Sequence, residues 1–164
     1  MEEAVLYAVE NNIATITMNR PKSLNSMNDA LIDGLHAAIT KAAADAEVRA
    51  IVLTGNGKAF CAGGDLSYLN GLEGVAAKKD FIAKVGDVAK RLTTIPKPVI
   101  AYINGVTAGA GVNLMLACDL VYASARHALA RALPRLADSR LRRSVFPAEG
   151  IGVLKAKELM FTGD

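Results

Sequence analysis

Runs of apolar residues at five places along the chain predict β-strands. Residues 4–9 and 13–18 mix β-branched and aromatic side chains with small ones, and a short polar turn separates them. Residues 50–54 and 99–103 are almost continuously apolar, which predicts strands that are buried on both faces. A last short run, residues 120–123, predicts a further strand. The chain therefore contains enough strands for a sheet.

Between these strands, apolar residues recur at the spacings of a helix. Spacings of three and four residues predict a helix over about residues 28–44, and Ser26 followed by Asp29 predicts a capping box at its beginning. The buried face of this helix is predicted to consist of Leu31, Leu35, Ile39 and Ala42. Residues 76–93 and 112–117 predict two more helices. Strands that alternate with helices predict a layered α/β fold.

Length and composition indicate a single domain. A chain of 164 residues with 52% hydrophobic residues can form one hydrophobic core, so we expect one domain that comprises residues 1–164. It contains no apolar run long enough to cross a bilayer, and its acidic beginning, Met1-Glu2-Glu3, is unlike a signal or transit peptide. Cys61 and Cys118 lie in apolar surroundings, which favours buried thiols over a disulfide. We therefore expect a cytoplasmic protein that does not bind a membrane.

The net charge of +3 is concentrated in one segment. Residues 126–143 contain six arginines against one aspartate, a net charge of +5, which leaves −2 for the rest of the chain. A basic patch of this kind can bind nucleic acid, but here it has no interleaved aromatic residues and no DNA-binding motif. We expect no nucleic-acid partner.

Two predicted strand–loop–helix units carry glycines in their loops, at residues 50–66 and 99–117. The first N–H groups of a helix lack partners within it and can bind an anion, and glycine lets a ligand approach the backbone. Phosphate binding is one alternative, although Gly57-Lys58 is followed by alanine, where a Walker loop needs Ser or Thr. The glycines at 105, 109 and 111 also miss the dinucleotide spacing. Tight turns without a ligand remain equally open.

Three longer motifs carry a specific resemblance. The strings NRPKSLNSMN, VRAIVLTGNGKAFCAGGDL and KPVIAYINGVTAGAGVNLMLACDL occur in this order. The chain resembles the enoyl-CoA hydratase/isomerase (crotonase) superfamily over about residues 4–125, and again at 152–163. The resemblance implies a crotonase-like spiral of ββα units, assembled as trimers or hexamers, and a protein whose C-terminal helical part is missing here.

The resemblance also implies a site. In AFCAGGDL and AGAG, the matching residues are Gly64 and Ala110, whose backbone N–H groups would form an oxyanion hole for a thioester enolate. The substrate's coenzyme A would lie along Lys22, Leu24, Ala62, Asp65, Leu66 and Gly109. Apart from coenzyme A within the substrate, we expect no cofactor and no metal. Asp65 has an alternative role as the cap of the following helix.

Within this superfamily, the chain most resembles the phenylacetate-pathway type of enoyl-CoA isomerase. Hydratases of the superfamily use two glutamates, but Asn113 stands at the first matching position and the second falls near Leu133, so hydration is disfavoured. An isomerase needs one carboxylate, and the candidate is Asp138, although a solvated loop aspartate without a function is the favoured interpretation of this residue. A non-catalytic protein that binds acyl-CoA or a protein partner is the alternative.

The segment of about residues 126–150 departs from the family pattern. The family's Pro-Asp-Ser-Gly-Gly turn is absent. However, one possible coding sequence for residues 138–143 encodes Ile-Pro-Asp-Ser-Gly-Gly when its reading frame is shifted by one base. The hypothesis is a frameshift with a compensating shift before residue 152. Family members run on for roughly another 90–100 residues beyond residue 164, a part expected to cover apolar faces of the core.

Overall fold

The computed structural model describes residues 3–123, which form a five-stranded sheet, a two-stranded sheet and four α-helices. The strands are β1 (Val5–Glu10), β2 (Ile13–Met18), β3 (Ala50–Gly55), β4 (Ala59–Cys61), β5 (Val99–Ile103), β6 (Val106–Thr107) and β7 (Leu120–Ala123). The helices are α1 (Asp29–Ala44), α2 (Leu66–Gly71), α3 (Gly74–Thr94) and α4 (Ala110–Leu116), with a short 3₁₀ helix at Pro21–Ser23. The predicted α/β fold is confirmed.

The large sheet has the order β1-β2-β3-β5-β7. Strands β1 and β2 form an antiparallel hairpin, whose turn residues Asn11 and Asn12 both have positive φ, at 50° and 64°. Asparagine tolerates this conformation and gives a turn that matches the twist of the strands. The pairs β2–β3, β3–β5 and β5–β7 are parallel, and each parallel return passes through helical segments.

Helix α1 buries the face that its sequence predicts. Its buried residues include all four predicted positions: Leu31, Leu35, Ile39 and Ala42. The predicted capping box is wrong, because the N-cap is Asn28, whose side chain accepts a hydrogen bond from the Leu31 N–H at 3.0 Å. Asparagine at this position satisfies one of the orphan donors of the first turn, as an N-cap serine would.

The prediction that β3 and β5 are buried on both faces is also wrong. Ile51 and Leu53 are fully buried, whereas Val52 and Thr54, which alternate with them along the strand, are only half-buried. On β5, Tyr102 is 51% exposed. Within residues 3–123, the central strands β2, β3 and β5 bury one face more completely than the other, which a continuously apolar sequence does not reveal. No helix of this part of the chain is both long and apolar enough to span a membrane.

Candidate functional site

The small sheet brings the two glycine loops together. Strands β4 and β6 run parallel, with Cys61 beside Thr107, so the segments that follow the two strands leave the sheet at the same end. One continues through residues 62–65 into α2, and the other through residues 108–109 into α4. The Ala108 N–H donates a hydrogen bond to the Cys61 carbonyl at 2.9 Å, which ties the beginning of the second loop to the first.

Glycine is required where these loops touch. Gly63 has a φ of 95°, and a Cβ there would lie 2.9 Å from the Ala108 oxygen and 3.2 Å from the Ala110 nitrogen. A Cβ on Gly111 would lie 2.2 Å from the Cys61 oxygen, closer than atoms can approach. Gly109 has a φ of 52° and a ψ of −128°, a conformation that is essentially restricted to glycine. The two loops are therefore in direct backbone contact.

The two predicted donors, Gly64 and Ala110, stand in these touching loops. Within residues 3–123, neither N–H donates a hydrogen bond, although the residues that follow are engaged. The Asp65 N–H binds the Met27 carbonyl at 2.9 Å, and the Gly111 N–H binds the Ala108 carbonyl at 2.9 Å. The structure thus leaves one open backbone donor on each side of the contact. Preorganised donors of this kind can hold a developing oxyanion.

Asp65 is held from two sides. Its Oδ1 accepts a hydrogen bond from the Tyr68 N–H at 3.2 Å, which caps α2, and its Oδ2 accepts both terminal N–H groups of Arg20 at 3.1 Å. Burial alone would raise the pKa of the Asp65 carboxyl, but the Tyr68 N–H and the Arg20 guanidinium together lower it below its ordinary value. The alternative role of Asp65 as a helix cap is therefore confirmed.

Arg20 was not found from the sequence. Its guanidinium also donates to the Ser26 carbonyl, so it joins the 20–26 loop to the beginning of α2. The residues of this ion pair are 45 positions apart, and no spacing rule connects them. The only signal is the placement of an arginine directly before Pro21, in the same motif as the predicted coenzyme A contacts.

The predicted coenzyme A contacts lie on the segments around the first loop. The Ala62 N–H donates to the Leu24 carbonyl at 3.0 Å, and the Met27 N–H donates to the Gly63 carbonyl at 2.7 Å, so the 24–27 segment runs beside the loop. Leu66 is 74% exposed at the beginning of α2. Lys22 is exposed on the 3₁₀ helix. Asp138 and Leu133 lie outside the described residues.

Asn113 and Cys61 are buried, and Cys118 is half-buried. Asn113 lies one turn after Ala110 on α4 and is 6% exposed. Both cysteines are free thiols, which confirms the preference over a disulfide. Burial raises the pKa of the Cys61 thiol to about 12, and burial together with Asp119 raises the pKa of the Cys118 thiol to about 12. Neither is a nucleophile at neutral pH, because the thiolate is the reactive form.

Comparisons with known proteins identify the family of this chain. The family model for enoyl-CoA hydratase/isomerase matches residues 8–164. The chain is 39% identical to the 1,2-epoxyphenylacetyl-CoA isomerase of Escherichia coli, covering 76% of this chain and 48% of that protein. It is 37% identical to the mitochondrial enoyl-CoA hydratase of Pongo abelii, covering 94% of this chain and 52% of that protein.

A solved structure gives the same result for the fold. The crystal structure of the enoyl-CoA hydratase from Bacillus anthracis superposes with a TM-score of 0.81 at 32% identity, covering 98% of this chain and 63% of that one. The chain therefore spans about half to two thirds of the length of these relatives. Both hydratases and isomerases are among them.

Proposed function

The chain belongs to the enoyl-CoA hydratase/isomerase family, and we propose that it binds an acyl-CoA thioester with the carbonyl oxygen between the Gly64 and Ala110 N–H groups. One observation carries the proposal. Two loops in backbone contact leave open donors at Gly64 and Ala110, while the N–H groups of Asp65 and Gly111 are engaged. A thioester oxygen is the acceptor that such a pair of neutral donors suits.

The chemistry follows from where charge develops. Removal of a proton from carbon beside a thioester gives an enolate, whose negative charge lies largely on the thioester oxygen. Donors that are already aimed at this oxygen stabilise the enolate more than the uncharged substrate, and each contributes ~3–4 kcal/mol to lowering the barrier. Backbone N–H groups do not titrate, so they donate at every working pH.

We propose an isomerase rather than a hydratase. Asn113 stands where the resemblance places the first hydratase glutamate, and an amide neither accepts nor releases a proton at neutral pH. An isomerase needs one base, which takes a proton from the carbon next to the thioester and returns it two carbons further along. The 3-enoyl thioester then becomes the conjugated 2-enoyl thioester, with no gain or loss of atoms. Asp138 is the candidate base.

The rest of the substrate is proposed to lie along the segments beside the first loop. Leu24, Ala62 and Leu66 offer apolar surface to the pantetheine chain, Asp65 and Gly109 flank the thioester, and Lys22 offers an exposed cation to the phosphates of coenzyme A. Coenzyme A belongs to the substrate, and no separate cofactor or metal is part of the proposal. We also propose a cytoplasmic homotrimer or hexamer, which the molar mass in solution, with and without coenzyme A, would test.

The decisive variant is Ala110→Pro. Proline removes the Ala110 N–H, yet the first position of a helix accepts proline well, so α4 should still form. We expect kcat for conversion of a 3-enoyl-CoA to the conjugated product to fall by about a hundredfold or more. The matched control is Ala110→Gly, which keeps the donor and should keep most of the activity. An Ala110→Pro protein as active as the wild type would refute the site.

A second candidate is a family member that binds acyl-CoA without turning it over. The observation in its favour is that Asp65, the carboxylate next to Gly64 in the chain, is held by Arg20 and the Tyr68 N–H and is not free to act as a base. Calorimetric binding of an acyl-CoA without turnover of a 3-enoyl-CoA would favour this candidate. Turnover that is lost in Asp138→Asn, with binding retained, would favour the isomerase.

A further inference from the structure

Helix α2 begins two residues after the proposed donor at Gly64, so its placement governs the direction of that N–H. The helix has only six residues, none of them buried, and a helix of this length is not stable by itself. It also lies close to the donor, since a Cβ on Gly64 would be 3.1 Å from Leu69 Cδ1. Contacts outside the helix must therefore hold it in place.

Tyr68 makes the contacts that reach furthest from α2. Its N–H binds Asp65, and its hydroxyl donates to Asp29 Oδ2 at 2.5 Å, at the beginning of α1. Its ring lies 5.4 Å from the ring of Phe81 on α3, at an angle of 56°. Through its backbone N–H and its side chain together, Tyr68 connects Asp65, the residue after the donor, to two long helices.

Asp29 is a suitable anchor because its carboxylate is charged and its second oxygen is bound by another residue. Lys84 on α3 donates to Asp29 Oδ1 at 3.2 Å, so the carboxylate binds a phenol and an ammonium group with different oxygens. A hydrogen bond to an ionised acceptor is shorter and stronger than one between neutral groups. Asp29, Tyr68 and Lys84 thus form a connected set that joins α1, α2 and α3.

We propose that Tyr68, through its hydroxyl group on Asp29, is a positioning residue for the Gly64 N–H. This inference rests on the proposed function, because it assigns a role toward the same oxyanion. Tyr68 does not touch the reacting atoms. It holds the first turn of α2, which sets the orientation of the peptide at residues 63–64.

The test replaces the hydroxyl group and keeps the ring. In Tyr68→Phe, we expect kcat to fall about tenfold while KM changes by less than about twofold, since a displaced donor costs less than a missing one. Asp29→Ala should give the same loss, and the double variant should lose no more than either. Asp29→Asn keeps an acceptor oxygen and should restore part of the activity. Tyr102→Phe is the matched control, because it removes the hydroxyl group of a half-exposed tyrosine on β5 that lies outside this set, and kcat is expected within about twofold of the wild type.

A spectroscopic measurement separates positioning from stability. But-2-enoyl-CoA labelled with carbon-13 at the thioester carbonyl would be bound to each variant, and its carbonyl stretching frequency would be recorded. We expect a shift to lower frequency in the wild type and a smaller shift in Tyr68→Phe. Equal shifts in the two proteins would overturn the positioning role, even if Tyr68→Phe melts earlier. Absence of any shift in the wild type would overturn the proposed function, and this inference with it.

Discussion

Gly63 lies where the two loops touch, and an alanine there tests that contact directly. Its φ of 95° is one that an L-residue adopts at a cost of ~1–2 kcal/mol. The added methyl carbon would also lie 2.9 Å from the Ala108 oxygen and 3.2 Å from the Ala110 nitrogen. Both are backbone atoms that cannot rotate away, and overpacking of this kind costs ~1–3 kcal/mol. We therefore expect Gly63→Ala to lower the free energy of unfolding by ~2–5 kcal/mol.

Urea unfolding followed by circular dichroism would measure this loss by linear extrapolation. Activity on a 3-enoyl-CoA should also fall by more than about tenfold where the variant is still folded, because the loops that carry both donors are pushed apart. The matched control is Gly86→Ala within α3, where a Cβ meets nothing within 4 Å and alanine should stabilise the helix by ~0.5–1 kcal/mol. A Gly63→Ala protein as stable and active as the wild type would refute the close contact of the loops.

Two further predictions concern ionisable groups. Arg20→Met should lower the free energy of unfolding by ~2 kcal/mol near neutral pH, because it leaves the half-buried Asp65 carboxylate without its cation. The folded-state pKa of Asp65 lies below its ordinary 3.8, so the stabilisation from its ionised form is present above that value and is lost as pH falls through the folded pKa. The free energies of unfolding of the two proteins should therefore converge in acid. A difference between them that stays constant down to that pH range would contradict the ion pair. Cys61 and Cys118, with pKa values of about 12, should resist iodoacetamide in the folded protein and react after unfolding; rapid alkylation of the native protein, measured by mass spectrometry, would contradict their burial.

The sequence predicts those parts of the fold that depend on local spacing. The repeat of Leu31, Leu35 and Ile39 predicts α1, and its buried face is confirmed. Helix α3 is predicted over residues 76–93 and observed over Gly74–Thr94. The bounds differ because the ends of helices carry less periodic signal than their middles. The short strands β4 and β6 were not predicted, because segments of two or three residues contain too few positions for a period. Helix α2 was expected only through its cap, Asp65.

Residues at the candidate site were predicted from sequence motifs, whereas the cap of the neighbouring helix α1 was not predicted correctly. Gly64 and Ala110 were predicted from their motifs, and the structure brings their loops into contact. The N-cap of α1 was placed at Ser26, because serine, asparagine and aspartate all favour caps and three of them occur together between residues 26 and 29. Only the backbone geometry distinguishes Asn28 as the cap.

The sequence by itself determined helices α1, α3 and α4, the five strands of the large sheet and the residue types at the two loops, since these depend on side chains a few positions apart. Tertiary structure alone decided that β4 pairs with β6, that Arg20 meets Asp65, and that Tyr68 reaches Asp29. These contacts join residues 39 to 47 positions apart, and many pairings at that separation are compatible with the same pattern. The physical reason is that an open N–H becomes a site only when packing brings a second one beside it.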